Sequence, residues 1–112
     1  GVRGVCMNLM MNAVQSMARG GELRVTTRRR GAHVEMLVED QGSGIAPEHL
    51  ERIWDPFFTT KPTGQGTGLG LTVTHAVISR HGGTIRAENR AEGGARFIVR
   101  LPVNGSGGHD PE

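Results

Sequence analysis

The sequence predicts a single small domain that combines helices with β-strands. Two segments of the chain, 4–19 and 69–80, repeat apolar residues at the spacing of an amphipathic helix. Other segments alternate apolar and polar residues, as half-buried strands do. With 112 residues, of which 36% are hydrophobic, the chain is long enough for one core and too short for several domains. We therefore expect one α/β domain.

Composition excludes several classes of protein. No apolar run approaches the roughly 20 residues that cross a bilayer, so the domain is expected to be cytoplasmic and to make no membrane contact. Cys6 has no second cysteine with which to form a disulfide, which fits a reducing compartment. The 13 basic residues exceed the 11 acidic ones too slightly for a nucleic-acid partner, and Arg28–Arg30 is interpreted as a solvated patch. Because no methionine precedes Gly1, the chain is expected to be part of a longer protein.

The first predicted elements are a helix and a hairpin. The helical spacing runs over about residues 4–19 and stops at Gly20 and Gly21. Alternating residues then predict two antiparallel strands that meet at a turn around Gly31. A glycine-broken loop follows the second strand, and Pro47 favours a short helix over about residues 47–53.

The second half of the chain again places a helix before two strands. Residues 59–67 are rich in Thr, Pro and Gly, which predicts a surface loop of the kind that forms a lid. Helical spacing predicts a second helix over about 69–80, and strands are predicted over 84–89 and 95–101. Residues 103–112 are polar and are predicted to be a disordered tail.

Closely spaced glycines mark the first candidate ligand site. Gly64, Gly66, Gly68 and Gly70 lead directly into the second helix, whose first turn offers unpaired N–H groups and a positive dipole end to a phosphate. The spacing lacks the third glycine of a dinucleotide-binding fingerprint and the Lys–Ser/Thr pair of a P-loop. A flexible linker explains the same residues, so the glycines alone leave both interpretations open.

Asp40 is the second candidate, because it ends a predicted strand and is followed by Gly42 and Gly44. A carboxylate there can accept a hydrogen bond from the exocyclic amine of adenine, which distinguishes adenine from a keto purine. The alternative is an aspartate that bonds its own main chain in a tight turn. The motif by itself is compatible with either role.

Two asparagines one helical turn apart form the third candidate. Asn8 and Asn12 present amide oxygens on one side of the first helix, and Mg²⁺ accepts such oxygens together with water and phosphate. A buried amide network is the alternative interpretation. The five histidines have no carboxylate or cysteine at ligand spacing, so no zinc site is predicted.

A family resemblance rests on four segments in order, which are Asn8–Ala13, Asp40–Ile45, Asp55–Lys61 and Gly64–Leu71. Together they resemble the ATP-binding catalytic domain of sensor histidine kinases, especially nitrogen-regulation sensors, within the GHKL group that includes gyrase-type ATPases, Hsp90 chaperones and MutL repair proteins. The resemblance covers about residues 4–102. It implies a domain over residues 1–102 that lacks the family's opening strand and helix. The implied fold is the Bergerat fold, a two-layer α/β sandwich with helices on one face of a mixed, mostly antiparallel sheet.

The resemblance also implies a site for ATP and Mg²⁺. Asn12 would bind magnesium with support from Asn8, Asp40 would bind the adenine amine, and Lys61 would approach the γ-phosphate. Ala95 stands where relatives often have a threonine near the base, so one polar contact to adenine is expected to be missing. The remaining implied nucleotide-binding residues are Gly42, Gly44, Ile45, Phe57, Phe58, Gly66, Thr67, Gly68, Leu69, Gly70 and Leu71.

Position 8 indicates the branch of the family. Gyrase-like relatives place a water-activating glutamate there, whereas the amide of Asn8 cannot act as a general base. The resemblance therefore implies transfer of the γ-phosphoryl group to a histidine on a dimerisation domain outside this chain, and then to an aspartate of a response regulator. No histidine here matches the phosphoacceptor motif, so the isolated chain is expected not to autophosphorylate. The alternative is a nucleotide-dependent switch, anti-sigma-like or degenerate, without kinase activity.

Overall fold

The computed structural model describes residues 2–17, 20–55 and 70–103. The described elements, in chain order, are helix α1 (Val2–Ser16), strands β1 (Arg24–Arg30) and β2 (His33–Glu39), a short 3-10 helix (Pro47–His49), helix α2 (Gly70–Arg80), and strands β3 (Thr84–Asn89) and β4 (Ala95–Pro102). Neither α1 nor α2, as described, has the length and apolar character needed to cross a membrane. The predicted lid and nearly all of the predicted tail lie outside the described residues.

The described strands form one sheet in the order β1-β2-β4-β3, and each neighbouring pair is antiparallel. β4 is last in the sequence but lies between β2 and β3. Residues directly opposite each other share a face of the sheet, so Val38 and Phe97 point to one side. Glu35 and Arg100, an odd number of residues away along the same two strands, point to the other side.

The hydrophobic core lies between the apolar face of the sheet and the two helices. α1 contributes Val5, Leu9 and Ala13, which recur every fourth residue and are each at most 2% exposed. α2 contributes Val77 and Ile78. The strands contribute Val38, Ile85, Ala95, Phe97 and Val99. Two helices on one face of the sheet form a two-layer α/β sandwich, which confirms the predicted fold class.

Two helix boundaries differ from the sequence predictions. α1 spans Val2–Ser16 rather than 4–19. The helix predicted over 47–53 is regular only at Pro47–His49 and continues as turns. The carbonyl of His49 accepts hydrogen bonds from the N–H groups of both Arg52 and Ile53, so three- and four-residue spacings mix and no regular α-helix continues.

β1 departs further from its sequence pattern. Alternation is typical of a strand with one buried side, yet all seven residues of β1 are exposed, including Val25 at 46%. Among the described strands β1 pairs with β2 alone, so it is an edge strand with little covering it. Leu23, just before the strand, does pack against the core.

The core assignment predicts a contrast between two residues of α1. Leu9→Ala should lower the free energy of unfolding by about 2–5 kcal/mol, because Leu9 is 0% exposed and its truncation leaves a cavity. Met7→Ala, at a position 55% exposed, should change the stability by less than about 0.5 kcal/mol. Urea denaturation followed by circular dichroism measures both, and equal losses would contradict the assignment.

Candidate functional site

Asp40 is fixed at the end of β2 by its contacts with Ala95, the first residue of β4. Its N–H donates to the carbonyl of Ala95 at 3.0 Å, which extends the pairing of β2 with β4 by one residue. Its Oδ1 accepts hydrogen bonds from the N–H of Ala95 at 3.2 Å and of Gly42 at 2.8 Å. The residue is only 2% exposed, so the carboxylate is held in a buried position.

The bond from Gly42 is the tight-turn alternative considered for Asp40 from the sequence. The structure shows that this turn exists and that it occupies only Oδ1. Within the described residues, no hydrogen bond falls on Oδ2. A carboxylate oxygen accepts hydrogen bonds, so Oδ2 is suited to accept a bond from a ligand amine. The turn and the ligand role are therefore compatible.

The hairpin loop between β3 and β4 closes tightly over Asp40. The N–H of Arg90 donates to the carbonyl of Gly94 at 2.9 Å, and the N–H of Gly93 donates to the carbonyl of Arg90 at 3.1 Å. Gly94 has a φ of +89°, and a Cβ there would overlap the carbonyl oxygen of Asp40. Only glycine combines this φ with this close approach.

Arg90 connects the same loop to the end of β2 through its side chain. Its Nη1 donates to the carbonyl of Asp40 at 2.7 Å, and its Nη2 lies 3.5 Å from a carboxylate oxygen of Glu92. The pKa of Glu92 is lowered, first by a hydrogen bond from the main-chain N–H of Glu92 to its carboxylate and then by the charge of Arg90. Arg96 donates to Glu39 at 2.9 Å and to Glu88 at 2.7 Å, and these hydrogen bonds, that to Glu88 foremost, raise the pKa of Arg96.

Asn89 holds the other end of the loop that follows Asp40. Its Oδ1 accepts from the N–H of Ile45, and its Nδ2 donates to the carbonyl of Ile45, both at 2.7 Å. Gly44 has a φ of +80°, and a Cβ there would lie 2.9 Å from the Asn89 side-chain oxygen. Gly44 and Ile45 thus lie in a loop that turns back against the end of β3.

Asn8 and Asn12 both lie on α1 and are half-buried. The Nδ2 of Asn8 donates to the Oγ1 of Thr74 on α2 at 3.3 Å, and Thr74 is 0% exposed. This bond is of the kind expected if Asn8 is part of a buried amide network, the alternative interpretation given from the sequence. It fixes the amide of Asn8 against the second helix. Asn12 lies one turn further along α1, toward its C-terminal end. Just beyond that end, the sulfur of Met17 accepts a hydrogen bond from the N–H of Gln41, in the loop after Asp40, at 3.4 Å.

The remaining predicted site residues divide into two groups. Gly70 is the first residue of α2, as the glycine run predicts, and Leu71 packs against the core. Near that helix start, the Oγ1 of Thr72 donates to the carbonyl of Trp54 at 2.9 Å. The predicted residues that lie outside the described ones are Phe57, Phe58, Lys61, Gly66, Thr67, Gly68 and Leu69.

Sequence reasoning missed Asn89, Arg90 and the close approach of Gly94. Two adjacent glycines between predicted strands indicate a tight hairpin loop, which was the one available signal. Ala95 contributes through its main chain, since both its N–H and its carbonyl bond Asp40. In the described part of the chain no three His, Cys, Asp or Glu residues cluster as a metal site.

The sequence and the fold correspond to one protein family. The sequence profile described as "Histidine kinase-, DNA gyrase B-, and HSP90-like ATPase" matches residues 1–105. Because the match covers nearly the whole chain, the chain belongs to this family of ATPases. The resemblance stated from the four segments is confirmed.

The relatives of the chain within this family are sensor histidine kinases. ZraS of Escherichia coli O157:H7 is 47% identical over 100 residues, which cover 89% of this chain and 21% of that protein. SenX3 of Mycobacterium bovis, a sensor-like histidine kinase, is 40% identical over 110 residues, covering 94% of this chain and 27% of that protein. The solved catalytic domain of histidine kinase ThkA matches with a TM-score of 0.81 at 38% identity, covering 90% of this chain and 65% of that one. The chain therefore spans about a fifth to a quarter of the length of these curated relatives.

Gly93 and Gly94 provide a matched pair for testing the contact with Asp40. Both have positive φ, at +105° and +89°, but a Cβ on Gly93 meets nothing within 4 Å, whereas one on Gly94 meets the Asp40 carbonyl. Gly93→Ala should cost about 1–2 kcal/mol of unfolding free energy through backbone strain alone. Gly94→Ala should cost about 2 kcal/mol more, because Asp40 or the loop must move. Denaturant titration of both variants tests this, and equal costs would show that the close approach is not required.

Proposed function

We propose that this domain binds Mg-ATP, with adenine at Asp40, and serves as the ATP-presenting catalytic part of a sensor histidine kinase. The observation that carries the proposal is the buried carboxylate of Asp40, of which Oδ1 is bonded to the main chain and Oδ2 accepts no bond from the described residues. The sequence identity of 40–47% with two sensor histidine kinases, over 89–94% of this chain, supports the kinase assignment.

Recognition of adenine follows from the chemistry of Asp40. An ionised carboxylate only accepts hydrogen bonds, so it attracts the 6-amino group of adenine and repels the 6-carbonyl of guanine. Asp40 is 2% exposed, so little of its surface contacts water. Four hydrogen bonds to the described neighbours of Asp40 fix the direction of the carboxylate before the ligand arrives.

The amide side chains of Asn8 and Asn12 on α1 are suited to the magnesium ion and the phosphates of the nucleotide. The amide oxygen of Asn12 is a hard, neutral ligand of the kind that binds Mg²⁺ alongside phosphate oxygens and water. Asn8 supports the same site from one turn earlier, with its amide fixed by Thr74. Lys61 and the glycine run from Gly66 to Gly70 are proposed to contact the phosphates, and Phe57 and Phe58 to anchor the lid.

Transfer of a phosphoryl group mainly requires alignment of the reactants and neutralisation of charge, which a binding domain supplies. A magnesium ion held by Asn12 would supply part of this charge neutralisation. Asn8 cannot remove a proton from water, so the site favours transfer over hydrolysis. In the proposed reaction an imidazole nitrogen of the acceptor histidine bonds the γ-phosphorus while the bond to the bridging oxygen breaks, and ADP leaves.

The proposed partners are the phosphoacceptor domain of the same parent protein and a response regulator, and the proposed location is the cytoplasm.

Calorimetric titration of the chain with Mg-ATP and Mg-GTP tests adenine recognition. Asp40→Asn should weaken Mg-ATP binding about 100-fold, because the amide can keep its Oδ1 bonds but places an NH₂ group against the adenine amine. Glu48→Gln is the matched control, since it also removes one negative charge but lies exposed on the 3-10 helix. Its affinity should be unchanged. Wild-type affinity in a folded Asp40→Asn variant would refute the assignment.

A second variant tests the magnesium site. Asn12→Asp should lower the affinity for Mg-ATP about tenfold, because a fixed negative charge beside the triphosphate adds repulsion as well as a ligand. Titrations with magnesium and with EDTA separate the two effects. If affinity is the same in the variant and the wild type under both conditions, Asn12 does not lie at the phosphates.

A further inference from the structure

Asp40 makes most of its hydrogen bonds with the first residue of β4 and with the hairpin loop that precedes it. Of the four that it makes with described residues, its N–H and its Oδ1 each bond Ala95, and its carbonyl accepts from Arg90. The fourth comes from Gly42. Ala95 thus holds Asp40 through both its main chain and its side chain, and Arg90 in the loop holds its carbonyl. Arg90 is the only one of these partners that acts through a side chain.

The geometry of Arg90 is not that of an ordinary ion pair. Its side chain is 10% exposed, and its buried Nε has no hydrogen-bond partner among the described residues and lies 3.8 Å from the carboxylate of Glu39. A buried N–H that lacks a partner is unfavourable and calls for an explanation. Glu39 has its short contact, at 2.9 Å, with Arg96 instead. Arg90 makes its own shortest contact, at 2.7 Å, with the carbonyl of Asp40.

We infer that Arg90 is a positioning residue for adenine selectivity, acting by holding the main chain of Asp40. The guanidinium fixes the carbonyl of Asp40, and the carboxylate of the same residue is thereby aimed at the purine 6-position. Among the described residues, the Arg90 guanidinium contacts Asp40, Glu39 and Glu92. The inference rests on the proposed function, because it gives Arg90 a role only if Asp40 binds adenine.

A positioning role makes a prediction that a purely structural role does not. A residue that only stabilises the fold affects every nucleotide equally, because each loses the same fraction of folded protein. A residue that aims Asp40 affects the 6-amino nucleotide alone. Mg-ADP and Mg-IDP form the sharpest comparison, since the two bases differ only in the amine or carbonyl at position 6 and in the N1 proton that accompanies the carbonyl.

The experiment is an NMR titration of the isotope-labelled chain with Mg-ADP and Mg-IDP, which also reports whether each variant is folded. Arg90→Met keeps the apolar stem and removes the guanidinium. It should weaken Mg-ADP binding about tenfold and leave Mg-IDP binding within about twofold, so the selectivity falls about tenfold. Arg90→Lys, which keeps one charged donor, should recover part of it. Arg100→Met, an exposed arginine on β4, is the matched control and should keep wild-type selectivity.

Amide hydrogen exchange without nucleotide supplies an independent readout. Arg90→Met should speed exchange at Ala95 and Gly42, whose N–H groups bond Asp40, and leave exchange at Val99 in the core of β4 unchanged. Equal losses for both nucleotides, or unchanged selectivity in a folded Arg90→Met variant, would overturn the inference. If that variant does not fold, undiminished selectivity in Arg90→Lys would overturn it. If the wild-type chain binds neither nucleotide, the proposed function fails and takes the inference with it.

Discussion

The candidate site depends on the attachment of Asp40 to the first residue of β4. The main-chain bond between Asp40 and Ala95 continues the β2–β4 ladder, and the bond from Ala95 to the carboxylate fixes the side chain in the same step. Because the contact is part of the sheet, the carboxylate is as rigid as the sheet itself. Preorganisation of this kind lowers the entropy lost when a ligand binds. The flanking loops add to the attachment, through Gly94 and Arg90 on one side and Gly42 on the other.

The strand order explains why this attachment is possible. β4 lies between β2 and β3, so its first residue meets the last residues of β2 and its hairpin loop lies over the same edge of the sheet. Phe97 fixes β4 in the core, at 2% exposure and in edge-to-face contact with Trp54. Trp54 in turn accepts a hydrogen bond from Thr72 at the start of α2. The packing that stabilises the fold therefore also positions the residues proposed to bind the nucleotide.

Much of this arrangement can be predicted from the sequence, and the remainder cannot for a physical reason. Leu9 and its neighbours reveal α1 by local spacing, and Asp40 is marked by its place between a strand and a glycine-rich turn. The roles of Asn89 and Arg90 depend on contacts 44 and 50 residues away in the chain. These contacts exist only because β4 inserts between β2 and β3, and alternation of residues carries no information on strand order. The exposure of β1 was missed for the same reason, since an edge strand and a central strand can share one pattern.

The most direct test of the account is a crystal structure of this chain with Mg-ADP. The account predicts that the 6-amino group of adenine lies about 3 Å from Oδ2 of Asp40. Oδ1 should keep its hydrogen bonds from Gly42 and Ala95, and Arg90 should still donate to the Asp40 carbonyl. Adenine bound away from Asp40, or a carboxylate that turns out of its bonds with Ala95 to meet the base, would contradict the claim that the sheet presents this carboxylate ready to bind.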